Sequence, residues 1–328
     1  MKHLEDIKEL LEKYYKWDPR RLSFLGNTIS GIIRSRSVNL QKVAESIEGK
    51  PKVASNYRRL QRLFKLQDID YKITAKLLSS VLPDDEKWIL TMDRTNWKLG
   101  QSNINLLVLG VAYKGMAIPI LWDFLTIEEN GIERGKRGNS NSSERRDILQ
   151  EFIELFGVEK IQVLTADREF IGEEWFKWLE ENKVPFVIRI RNTTTLNEDE
   201  LGTSNTKELF EHINKDEFYA FGECEILGRR LHLGGKEATK SKEPLMLVSN
   251  KPMDSNTVSI YQKRWEIETM FGAFKSKGFN LEESKISEGY KVEKLMALLS
   301  IAFVWSILAG EYRAIEEPIA YKKKNLTP

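Results

Sequence analysis

Four short runs rich in Ile, Val, Leu and Thr follow one another after residue 87: "WILTMD" (88–93), "NINLLVLGVAYKGMAIPILWDFL" (103–125), "IQVLTAD" (161–167) and "FVIRI" (186–190). These compositions favour strands. "SERRDILQEFIELF" (143–156) and "EEWFKWLEENK" (173–183) lie between the last three runs and carry helical spacing. Asn141 with Glu144 three residues on is a capping pair for the first of them. A β-β-β run followed by α-β-α-β constrains the chain more than any other feature, because it predicts an α/β domain on a mixed sheet.

The flanking segments read differently. Residues 1–80 predict an all-helical N-terminal domain of short helices, with "HLEDIKELLEKYY", "RLSFLGNTISGIIRSR", "NLQKVAESI" and "VASNYRRLQRLFKL" as its members. The α/β domain extends over 84–312, and a polar, β-rich insertion with "RRLHLGGK" and "PLMLVSN" as strands interrupts it at 192–250. Helices return at 255–278 and 290–312, and 313–328 reads as a C-terminal tail.

Net charge is only +2, yet eleven Lys or Arg and two acids (Glu45, Glu48) lie between Arg20 and Lys65. A basic block on a balanced chain predicts a phosphate-rich partner, DNA above all, for that block. Arg58, Arg59 and Arg62 on one helix are its candidate DNA-binding residues, in a helix-turn-helix-like arrangement. One cysteine, Cys224, excludes an intramolecular disulfide and fits a reducing cytoplasm. Three dispersed histidines exclude zinc sites of familiar spacing, so a metal, if used, would be held by carboxylates, which favours magnesium or manganese. No apolar run looks long enough to cross a bilayer, and "LMALLSIAFVWSIL" (295–308) reads as a core helix.

Two strand patterns end in an acid, Asp93 and Asp167. Either alone would be read as a turn cap. On neighbouring parallel strands, however, they would stand side by side, and close carboxylates need a proton or a cation between them. The third acid comes from "YQKRWEIETMFGAFK" (261–275), where Tyr261, Arg264, Glu268 and Lys275 have offsets of 0, 3, 7 and 14. On one helix these offsets keep the four within a stripe about 60° wide. Glu266 lies elsewhere on that helix, and Asp123 reads as a buried ligand or a paired core acid. Three acids with a basic region fit a phosphodiester site with two metal ions.

The same residues carry a resemblance. The sequence resembles the DDE transposases of bacterial insertion sequences, in the family-four group marked by Y-(2)-R-(3)-E-(6)-K, which Tyr261, Arg264, Glu268 and Lys275 match without a gap. "MDRTNW", "ADREF", "YRRLQRLF" and "KRGNSNSSER" are similar to stretches of that family. The resemblance implies a ribonuclease H-like catalytic domain with a β-rich insertion. It implies Asp93, Asp167 and Glu268 as catalytic residues holding two magnesium (or manganese) ions. Arg264 and Lys275 are then expected to hold DNA phosphates, Tyr261 to donate its hydroxyl to one, and Trp265 to stack on a displaced base. The expected activity is metal-dependent cleavage and strand transfer at transposon ends, by a protein that dimerises on DNA in a prokaryotic cytoplasm, near the nucleoid and away from membranes. Family members usually continue past the final core helices, whereas this sequence stops at Pro328. One alternative is therefore a truncated, catalytically silent copy that only binds ends; a second, of the same chemical class as the transposase, is a ribonuclease H-like nuclease that only hydrolyses.

Overall fold

A computed structural model describes residues 2–129, 132–191, 194–198, 202–205, 217–236 and 244–318. The chain opens with α1 (Lys2–Tyr14), α2 (Pro19–Ser35), α3 (Leu40–Ser46), α4 (Val53–Leu66) and α5 (Tyr71–Ser79). Side-chain caps start three of them: Asp18 accepts from the Arg20 N–H, Asn39 from Gln41 and Lys42, and Asp70 from Ile73. Helices α2 and α3 cross closely because position 31 is glycine. A Cβ there would stand 3.1 Å from both Cγ1 and the carbonyl oxygen of Val43.

The sheet follows: β1 (Trp88–Leu99), β2 (Ser102–Tyr113) and β3 (Met116–Phe124) as antiparallel neighbours, then a small hairpin of β4 (Thr126–Glu129) and β5 (Ile132–Gly135). Next come α6 (Ser142–Phe156), β6 (Ile161–Ala166), α7 (Glu173–Glu181) and β7 (Phe186–Arg189). Asn141 and Glu144 form the expected capping box on α6. Strands β6 and β7 join β1 in parallel, as crossover helices require. The insertion region contributes β8 (Thr195–Glu198), β9 (Gly202–Asn205), β10 (Tyr219–Ile226), β11 (Arg229–Lys236) and β12 (Leu245–Ser249). These strands extend the same sheet through the antiparallel β7–β12 pair, giving ten strands in the order β3-β2-β1-β6-β7-β12-β11-β10-β8-β9. Helices α8 (Asn256–Gln262), α9 (Trp265–Phe274) and α10 (Gly289–Glu316) complete the fold.

Two sequence readings need correction. Strand β1 does not end at Asp93, because the antiparallel ladder with β2 carries it on to the Leu99–Ser102 pair. Helix α10 runs for 28 residues and is long and apolar enough to cross a membrane by length and composition, where the sequence suggested too short a run. Of its most apolar window 67% is buried inside the fold, so it is packed here as a core helix.

One hydrophobic core spans α1–α5, the sheet, α9 and α10, so side chains on both sides of the 80–84 segment pack together. Polar contacts cross the same seam: the Val38 N–H donates to the Phe279 carbonyl at 3.0 Å, and the buried Lys294 ammonium to the Phe64 carbonyl at 3.3 Å. A smaller cluster of Val163, Val187, Leu247 and Tyr261, with Ile89 and Ile260 packed against it, places α8 on one face of the sheet.

Candidate active site

Parallel pairing of β1 with β6 runs to Met92–Ala166. Asp93 and Asp167 are therefore the next residues on two adjacent strands. Each shares its strand face with a member of the Ile89–Val163 cluster, since alternate residues point the same way. Both consequently lie on the α8 face. Asp93 accepts the Arg94 backbone N–H at 2.7 Å. Burial pushes its carboxyl up to about 6; the Arg94 N–H and Arg264 oppose that shift, while Glu169 and Glu268 add to it. Oδ1 of Asp167 is buried with no hydrogen-bond partner.

The opening of α9 brings in the rest. Around Lys263 and Arg264 the chain is not regular α-helix. Lys263, Arg264, Glu266 and Ile267 each donate three residues back, to Ile260, Tyr261, Lys263 and Arg264, at 2.9–3.2 Å. Such a tightened turn advances about 20° more per residue than an α-helix, so the single uninterrupted stripe becomes a corner between α8 and α9. Tyr261 and Arg264 thereby face the sheet, only 2% and 5% exposed. Arg264 Nη2 contacts Glu268 Oε1 at 2.7 Å, and Nη1 lies 3.8 Å from Asp93 Oδ2. Burial works against the Arg264 charge, but Tyr261, Glu268 and Asp167 outweigh it and raise its pKa. The Tyr261 phenol is pushed up to about 12, by burial first and by Asp167 in addition, against the pull of Arg264 and Arg189.

Asp93 and Glu268 thus share one guanidinium, whose charge Asp167 also supports. Among the described residues, though, no three acids, histidines or cysteines lie close enough together to hold a metal ion. Asp93 and the unpartnered oxygen of Asp167 fit a cation. Glu268, its side chain 53% exposed, is turned to Arg264 instead. Glu266 is 7% exposed and paired with Lys263, away from the acids. Asp123 is opposite Leu107, which is opposite Arg94, so it lies two strands away on the adjacent row.

The remaining candidates divide by exposure. Trp265 is 49% exposed beside this corner. Lys275, at the end of α9, donates to the Asn96 carbonyl at 3.2 Å and pairs with Glu282 at 2.9 Å, tying α9 to the outer part of β1. Arg58, Arg59 and Arg62 lie on α4. Arg59 and Arg62 line a 440 Å³ groove with Arg20, Arg21, Trp17 and Phe24, and the Arg59 guanidinium sits 4.0 Å from the centre of the Phe24 ring. Two charged residues escaped the sequence reading altogether. Arg94 and Glu169 lie inside "MDRTNW" and "ADREF" and bond to each other beside the aspartates. Their position within motif-like stretches was the available signal.

Residues 112–305, more than half of the chain, match the family model of the transposase DDE domain. The chain belongs to this family. No curated protein matches it. The mixed α/β architecture is consistent with a ribonuclease H-like transposase domain. The matched segment starts within β2, so this transposase domain match takes in Asp167 and Glu268 but begins after Asp93.

Proposed function

We propose that this transposase cleaves and joins DNA strands at the ends of an insertion sequence, as a member of the group with the Y-(2)-R-(3)-E-(6)-K signature. The observation that carries the reading is the placement of Asp93 and Asp167 directly beyond the last parallel pair of β1 and β6, with Glu268 one guanidinium away. Asp93, Asp167 and Glu268 are the residues that would hold two magnesium or manganese ions. Such ions, when bound, activate a water or 3′-hydroxyl and neutralise charge on the phosphodiester.

The chain's own residues supply positioning. Arg264 neutralises Glu268 and Asp93; transfer of its fork to a DNA phosphate would release Glu268 towards the aspartates. The exposed Trp265 ring is available to stack on a base near the cut. Lys275 would exchange Glu282 for a phosphate, and Tyr261 supports the Arg264 corner from beneath. The N-terminal helices hold the DNA at a distance from the cut, and a dimer assembled on two ends brings those ends together. Working on DNA places the protein at the nucleoid of a prokaryotic cytoplasm.

The test is incubation of the full chain with a supercoiled plasmid carrying the inverted repeats that flank its gene. Magnesium-dependent nicking at the repeat boundaries, followed by joining, is the expected result. Cutting without regard to the repeats would make the protein a nuclease. Binding of the repeats with no cutting would favour the silent, end-binding alternative.

DNA affinity of the full chain is also expected to fall steeply with salt, by a log–log slope of about 0.9 per phosphate neutralised. Arg20→Ala and Arg62→Ala, at the rim of the arginine groove, should each lower that slope by about one without changing sequence preference. Unchanged slopes for both variants would move the phosphate contacts elsewhere.

A further inference from the structure

Arg94 and Glu169 take no part in the roles assigned above. Neighbouring residues on a strand point to opposite faces, so Arg94 leaves β1 on the side away from Tyr261 and Arg264. Its Nε and Nη2 donate to the two oxygens of Glu169, each at 3.1 Å, in a bidentate fork. Nη1 donates to Oδ1 of Asn105 and Nη2 also to Oδ1 of Asn139, again at 3.1 Å. Asn105 is 1% exposed and passes its own amide hydrogens to the carbonyls of Lys136 (3.2 Å) and Gly138 (3.0 Å). A second arginine closes the belt. Arg145, 4% exposed, donates to the Ser140 hydroxyl at 2.9 Å and to the carbonyls of Ser140 at 2.5 Å and Glu169 at 2.9 Å.

These bonds fasten β1 to the turn after β6, and tie both to β2, residues 136–140 and the start of α6. Asp93 immediately precedes Arg94, and Asp167 precedes Glu169 by two residues. The β1–β6 ladder brings the two aspartates side by side but stops one residue short of them, at Met92–Ala166, so no direct pair between Asp93 and Asp167 holds their exact separation. Two carboxylates side by side also repel each other. A fork that joins β1 to the turn from the opposite face of the sheet opposes that repulsion.

We propose that Arg94, acting through Glu169, is a positioning residue that sets the spacing of Asp93 and Asp167. The inference rests on the reading of those aspartates as metal ligands. Glu169 is the first partner of Arg94; Asn105, Asn139 and the Arg145 belt hold the pair in place. Neither Arg94 nor Glu169 touches the reacting atoms.

The experiment is calorimetric titration of the full chain with Mn2+ alone, beside single-turnover cleavage and gel-shift measurements. Arg94→Ala and Glu169→Gln are each expected to weaken Mn2+ binding by about 10–100-fold, the usual reach of residues that orient metal ligands. The double variant should be no worse than the weaker single, because the two act as one unit. Cleavage should slow while end binding holds. Arg94→Lys should rescue little, since an ammonium cannot reproduce the planar fork. Full rescue by lysine would overturn the positioning role in favour of simple charge. Wild-type Mn2+ affinity in Arg94→Ala would overturn it directly, and Glu169→Gln decides the same point if Arg94→Ala fails to fold. Asp93→Asn separates the two levels. If it binds Mn2+ as the wild type does, the metal reading fails and the positioning role falls with it. If it loses Mn2+ while Glu169→Gln keeps it, only the positioning role falls.

Discussion

Glu268→Gln is expected to slow single-turnover cleavage of a labelled transposon end in magnesium by about 10³-fold or more, the rate equivalent of roughly 4 kcal/mol of transition-state stabilisation. Gel-shift affinity for the same end should be nearly unchanged. The amide keeps the size of the side chain and an oxygen that can still accept from Arg264 Nη2, which contacts Glu268 at 2.7 Å. What it loses is the negative charge a divalent cation requires. Asp93→Asn and Asp167→Asn should match it, because on the proposed reading the three acids hold the same ions and act as one unit. Normal cutting by Glu268→Gln would leave Glu268 as no more than the counter-ion of Arg264.

Arg264→Ala is expected to cost about 2–3 kcal/mol of stability, read as a lower urea midpoint at an unchanged slope. Truncating one member of a buried ion pair costs more than the pair contributes, since the remaining charge stays behind without compensation. Asp93 is that charge. Its carboxyl is already pushed up to about 6 by burial, with Arg264 opposing the shift. The expected cost lies below that of a wholly buried pair because Glu268, the other partner, is 53% exposed and screened by water. Arg264→Lys should recover only part of the loss, since one ammonium cannot bridge Asp93 and Glu268 as the two arms of a guanidinium do. A midpoint equal to the wild type's would mean that the Asp93–Arg264–Glu268 chain contributes nothing to the fold.

Much of the architecture was legible because it follows from local chemistry. Apolar runs, their turn residues and the Asn141–Glu144 capping pair locate strands and helices without knowledge of their partners. "VASNYRRLQRLFKL" and "RRLHLGGK" coincide with α4 and β11 residue for residue. α5 was less legible, because its main start signal is a single cap, Asp70. Spacing alone also led to Tyr261, Arg264, Glu268 and Lys275 as a group. Their surroundings were not legible. A 100° step assumes an unbroken α-helix, and the tightened turn at Lys263–Arg264 depends on how α8 and α9 pack against the sheet.

The sequence by itself determined the order of the elements, the acids in play and the basic character of the N-terminal helices, because composition and periodicity are local properties of the chain. The tertiary structure alone decided which of these meet. Strand register sets Asp93 beside Asp167. Burial turns Tyr261 and Arg264 inward, although their residue types suit a DNA-facing surface. Arg94 and Glu169, separated by 75 residues, become a pair only through the adjacency of β1 and β6. Pairing of that kind is a long-range choice, made by which apolar faces the whole sheet can bury, and no short stretch of sequence records it.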